Sequence, residues 1–227
     1  MSNSKQAILT RVREALSVPT DSHVRHAPAA TPGAGEFRAW LPQVEDTHES
    51  RVAIFAELSE KLQAEFVQVP DRDTAKEKII ELAHDLGWDS VCTHGGSVID
   101  DVLADSGLNL TSTDDGYDTN KMEAADAGIT ECDALIAQTG SVLITTKSAG
   151  GRALSVLPPH HVVIATKNQL VFDMAAGYAV LRERYQGDWP SFISFITGPS
   201  RTGDIERILV LGAHGPKRLT VILIDED

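Results

Sequence analysis

The chain has 227 residues, 42% of them hydrophobic and 23% charged, with a formal net charge of −13 at pH 7. That length suits one sizeable α/β core with an appendage, or two small domains, and the negative charge disfavours nucleic acid and anionic lipid as partners. No apolar run approaches a bilayer-spanning length, and two cysteines, Cys92 and Cys132, supply neither a disulfide framework nor a four-thiolate iron–sulfur site, so a cytoplasmic protein without a membrane span is expected.

In chain order, Ile8, Leu9, Val12, Ala15 and Leu16 fall at helical spacing, in a segment of mixed charge without the apolar stretch of a signal peptide. Periodicity then disappears up to residue 42, in a stretch broken by Pro19, Pro28, Pro32, Gly33, Gly35 and Pro42. Residues 1–42 therefore read as an N-terminal helix followed by a Pro/Ala/Gly-rich linker, and 43–227 as the folded domain. The helix is a loose appendage or docks on a partner, with a homo-oligomer as one outcome.

From Ser50 the pattern becomes α/β. Val52, Phe55, Leu58 and Leu62 form a helical stripe, and Phe66 to Val69 a short strand ended by Pro70. Asp73 is a candidate N-cap, with Thr74 and Glu77 fitting a capping box, for a helix that runs to Gly87. Strands follow at Ser90–Thr93 and Leu108–Thr111, separated by the loop His94–Ser97 and a helix over Val98–Leu103. Ile129 to Thr146 reads as an antiparallel hairpin about a Thr139-Gly140-Ser141 turn. His161–Thr166 is a buried strand, Asp173–Tyr185 a helix, Phe192–Ile196 and Leu219–Ile224 further strands. The expected fold is α/β, with a mixed, mainly parallel sheet and helices on both faces.

Chemistry concentrates in Ile196 to Lys217. After the strand come Thr197, Gly198, Pro199, Ser200, Arg201 and Thr202, and the acids Asp204 and Glu206 suggest that a helix starts at Gly203-Asp204. Free N–H groups at such a start, the fork of Arg201 and the His214-Gly215 loop would together suit a small anion. An ordinary capped helix with a surface arginine is the alternative. Arg152, after Gly150-Gly151, could add a second cation, and Gly95-Gly96-Ser97 is either a weak anion loop or a simple turn. The histidines lack metal spacing; His160 and His161 are adjacent on a strand and face opposite ways. No nucleophile elbow, phosphate-binding lysine loop or dinucleotide fingerprint is present, and no catalytic residue is assigned.

Three stretches resemble signatures of the lactate utilization protein C family, which carries the LUD domain: GITECDALIAQTGSVLI (Gly128–Ile144), LSVLPPHHVVI (Leu154–Ile164) and ITGPSRTGDIE with LGAHGPKRLTVILID (Ile196–Glu206, Leu211–Asp225). The resemblance covers about residues 50 to 227. It implies a fold similar to ribose-5-phosphate isomerase and the coenzyme A transferases. It also implies a role in oxidising L-lactate to pyruvate beside partner proteins that hold iron–sulfur clusters, this chain being an accessory or assembly subunit with no cofactor of its own. A stand-alone enzyme acting on a phosphorylated sugar, folate or thioester is the rival expectation. The family usually has glutamate where this chain has Gln138, beside Thr139 and Gly140. A carboxamide cannot form the acyl anhydride of coenzyme A transfer, so Gln138, Thr139 and Gly140 are carried as ligand-binding candidates only.

Overall fold

A computed structural model of the protein describes residues 2–17, 47–205, 208–212 and 214–226. The chain divides into two units, Met1–Leu41 and Pro42–Asp227. In the first, helix α1 (Ser2–Ser17) leaves Ile8, Leu9 and Val12 exposed. The linker expected between it and residue 42 lies outside the described residues.

The second unit runs α2 (His48–Lys61), β1 (Glu65–Val69), α3 (Arg72–Leu86), β2 (Val91–Thr93), α4 (Ser97–Leu103), β3 (Leu110–Ser112), α5 (Thr119–Ala124), β4 (Ala127–Thr130), β5 (Ala134–Ile136) and β6 (Ser141–Thr145). It continues through β7 (His160–Thr166), β8 (Leu170–Val171), α6 (Met174–Tyr185), β9 (Ile193–Ile196), β10 (Arg201–Ile205), β11 (Ile208–Leu211) and β12 (Arg218–Ile224). Six strands form an all-parallel sheet in the order β1-β12-β7-β4-β2-β3. The antiparallel pairings are segregated into a second sheet, β8-β5-β6-β9, and the two-stranded β10-β11. The chain is thus α/β with a mainly parallel sheet, as the strand–helix alternation predicts.

The parallel sheet is covered on both faces, and its strands are accordingly apolar on both sides. Val162, Ile164, Ile222 and Ile224 pack with Ala75 and Ile79 of α3 and with Ile99 and Val102 of α4. The alternate residues Val163, Ala165, Leu219, Val221 and Leu223 turn the other way, onto Phe55 of α2 and onto Leu135, Val142 and Ile144 of the second sheet. Leu181 and Tyr185 of α6 close the outer side of that second sheet against Ala134, Ile136 and Leu143.

Two details depart from expectation. The N-cap of α3 is Asp71, not Asp73: Asp71 is extended, and its carboxylate accepts the Thr74 N–H at 2.8 Å and the Thr74 hydroxyl at 2.7 Å. Pro70 ends β1, so the chain turns immediately and the first acid able to cap does so. The stretch after Gly203 is not a helix start. Residues 201–205 pair antiparallel with 208–211, with Arg201 opposite Leu211, Thr202 opposite Val210 and Ile205 opposite Ile208. Ile205, Ile208, Leu209, Val210 and Leu211 form a β-favouring apolar run, and that outweighs the helix signal of Asp204 and Glu206.

Candidate functional site

The anion site expected around Arg201 loses its helix, and with it the N–H donors of a first turn. Part of the constellation does assemble. The Ser200 N–H donates to the Pro216 carbonyl at 2.9 Å, and the Gly212 N–H donates to the Ser200 carbonyl at 2.8 Å. The N–H groups of Lys217 and Arg218 reach the Pro159 carbonyl at 2.8 and 3.2 Å. These bonds place Gly198–Ser200 and His214–Gly215 together, at the amino ends of β7 and β12. Ligands of open parallel sheets sit at the opposite, carboxyl ends. Gly198, Pro199, Ser200, His214 and Gly215 line one small pocket of about 160 Å³ there.

The other candidates lie elsewhere. The Thr197 hydroxyl is 2.8 Å from that of Ser141, which accepts the Thr139 hydroxyl at 2.8 Å. Gln138 is buried, with its N–H on the Phe172 carbonyl at 3.1 Å. Gly140 has φ 62°, and a Cβ there would lie 2.9 Å from Leu58 of α2. The hairpin turn is therefore a packing joint under α2. Arg152 donates from its side chain to the Ser191 carbonyl at 3.3 Å and from its backbone to the Tyr117 hydroxyl at 2.9 Å. It does not join the pocket beside Ser200.

The larger cleft, about 690 Å³, opens at the carboxyl edge of the parallel sheet. Glu131, Cys132 and Asp133 follow β4, Thr166 ends β7, and Arg72 and Ser97 open α3 and α4. Lys147 and Ser148 follow β6, and Glu183, Arg184 and Tyr185 end α6. Asp133 is the buried hub: one oxygen accepts from Arg184 at 2.8 Å and from the Tyr185 hydroxyl at 2.6 Å, the other from Ser148 at 2.6 Å. Burial works against the Arg184 charge, but Asp133 more than offsets it, so the guanidinium stays firmly protonated. Burial, and next its bond to Asp133, pushes the Tyr185 phenol up. Burial also pushes the Cys132 thiol up strongly, which makes it an inert thiol and not a nucleophile. Lys147 pairs with Asp188 and lies 5.2 Å from the centre of the Tyr185 ring.

The glycine loop before α4 is an anion cradle that the chain fills itself. The N–H groups of Val98 and Ile99 both donate to one Glu131 oxygen, at 2.9 and 3.0 Å, and the Gly95 N–H donates to Asp114 at 2.6 Å. Gly96 leaves room for that carboxylate: a Cβ there would run into Glu131 and push it off its two N–H donors. Among the described residues, no group of three or more His, Cys, Asp or Glu could hold a metal ion. Sequence reading missed Asp133, Ser148, Arg184 and Tyr185, which lie on three segments. The available signal was Asp133 itself, an acid just beyond the carboxyl end of an apolar strand.

The family model of the LUD domain matches residues 52–224. The chain is similar to "Lactate utilization protein C" of Shouchella clausii strain KSM-K16, 39% identical over 105 residues and covering 46% of each chain. It is also similar to the protein of that name from Halalkalibacterium halodurans, 40% identical over 111 residues and covering 47% of each. The match thus spans just under half the length of these relatives. Among solved structures, a DUF162 family protein from Deinococcus radiodurans shares the fold with a TM-score of 0.61 at 20% identity, over 78% of this chain and 98% of that one.

Proposed function

The chain belongs to the LUD domain family, and from that premise we propose that it serves lactate utilization as an accessory subunit in the oxidation of L-lactate to pyruvate. The electron-carrying iron–sulfur clusters reside in partner proteins, and this chain binds a small carboxylate at the carboxyl edge of its parallel sheet. The relatives named lactate utilization protein C support the pathway. The two buried cysteines, Cys92 and Cys132, support placing the clusters elsewhere.

The observation that carries the binding reading is the Asp133 hub. Asp133 is too buried to touch a ligand; it positions Arg184, Tyr185 and Ser148 along the wall of the cleft. Arg184, whose side chain is 45% exposed, keeps donors directed at solvent, and Lys147 and Arg72 stand on the same walls. A 2-hydroxy or 2-oxo carboxylate finds the free side of a guanidinium there; the Ser148 and Tyr185 hydroxyls give their protons to Asp133 and hold that guanidinium's anchor in place. Glu131 already fills the loop before α4, which speaks against a phosphorylated ligand in that loop.

Calorimetry with L-lactate and pyruvate tests the site. Arg184→Lys is expected to weaken binding about tenfold, since an ammonium loses the bidentate contact. Unchanged affinity in that variant would sink the reading. Anaerobically purified protein is expected to carry no stoichiometric iron and to lack dye-linked lactate turnover until iron–sulfur partners are added. Turnover by the chain alone would overturn the accessory role.

A further inference from the structure

The pocket at the amino edge of the parallel sheet holds two buried polar atoms without a partner among the described residues. His161, 1% exposed on β7, has its Nε2 2.9 Å from the Thr130 hydroxyl, while its Nδ1 has no partner among the described residues. Ser155, 2% exposed in the loop before β7, likewise has an unpartnered hydroxyl. Both residues line the same cavity of about 160 Å³. A buried polar group left without a partner is costly, so two on one cavity mark a place where something else supplies the bonds.

The remaining walls define that partner. Val156, Phe192, Ile196 and Leu219 are apolar, Ser194 and Ser200 add two hydroxyl-bearing residues, and Pro199 and Pro216 close the rim. No lysine or arginine is among the described lining residues; His214 stands exposed at the edge. His161 supplies no charge, because burial first, and the neighbouring His160 second, hold its pKa at about 3. A neutral imidazole offers a single donor or acceptor at Nδ1, and a serine hydroxyl offers either. For scale, an apolar cavity of roughly 150 Å³ holds benzene, so the occupant has about six heavy atoms.

We propose that this pocket is a binding site for a small uncharged amphiphile, with a polar end that bridges His161 Nδ1 and Ser155 Oγ and a branched apolar end against Val156, Ile196 and Leu219. The site is separate from the carboxylate cleft at the other edge of the sheet, and its occupant is of a different chemical class. This also accounts for how Gly198–Ser200 and His214–Gly215 come together: they wall this pocket, with the Arg201 guanidinium beside Gly198 and not among the residues that line it.

The test uses the 227-residue protein with isobutyramide as the probe and isobutyrate, its anionic isostere, as the control. Shifts are followed by two-dimensional amide NMR and by the ring-nitrogen resonances of His161. Isobutyramide is expected to shift His161 and the amides around Ser155 and Leu219 saturably, with isobutyrate at least tenfold weaker there. Ser155→Ala is expected to weaken isobutyramide binding about fivefold while leaving the melting temperature of the free protein unchanged or higher, since it deletes an unpartnered hydroxyl. Isobutyrate binding as well as the amide would overturn the proposal. So would the absence of any shift at 100 mM probe, which would mean that ordered water alone fills the pocket. A large drop in melting temperature with unchanged binding would overturn it too, by making Ser155 structural.

Discussion

At the scale of single residues, Asp133 carries the most. Three donors converge on it, one of them charged, and its side chain is fully shielded from solvent. Asp133→Ala removes the shared acceptor of two buried hydroxyls and the partner of a half-exposed guanidinium, so a loss of about 1–3 kcal/mol is expected by urea denaturation, together with loss of carboxylate binding. A variant that kept its stability would mean that the hub is not a structural anchor. His160 and His161 supply a pH dependence. Burial, with Arg218 beside His160 and His160 beside His161, lowers their folded pKa values to about 4 and about 3, against 6.5 when unfolded. Above pH 6.5 both states are neutral and stability is complete. Below it the unfolded chain takes up protons that the folded one refuses, so stability falls as pH drops from 6.5 toward 4, by on the order of 1.4 kcal/mol per pH unit for each ring. Unfolding at pH 7.5, 6 and 5 measures the slope, which His161→Gln should reduce.

At the scale of elements, most of the sheet was legible because its strands are short apolar runs punctuated by Pro70, Gly87 and Pro190. The β12 run LTVILI and the β7 run HVVIAT read as buried before any pairing is known. What misled was local charge. Asp204 and Glu206 imitate an acidic first helical turn, but the Ile208–Leu211 run after them pairs with a strand, and pairing is a non-local fact. The main cleft was illegible for a related reason. Asp133, Ser148 and Arg184 come from the ends of three elements, and only the stacking of two sheets brings them within bonding distance. The hairpin joint yields a prediction of its own. Gly140→Ala must adopt φ near 62° and intrude on Leu58, so a cost of about 1–3 kcal/mol is expected in thermal unfolding, with ligand binding at the cleft retained. Selective loss of binding at full stability would instead place Gly140 in the site.

At the scale of the whole molecule, the strand order ties distant parts of the chain together. β12, residues 218–224, lies between β1, residues 65–69, and β7, residues 160–166, and bonds to both in parallel. A nascent chain therefore cannot seat β1 until residues 218–224 have been made. β1 must wait on the ribosome, its apolar face uncovered, and this sheet closes only when residue 224 has cleared the exit tunnel. Force-sensitive arrest sequences placed along the gene should accordingly report little folding tension before that point and a single late burst after it. An early burst, with the linker set before residue 200, would show that β1 finds a provisional partner during synthesis.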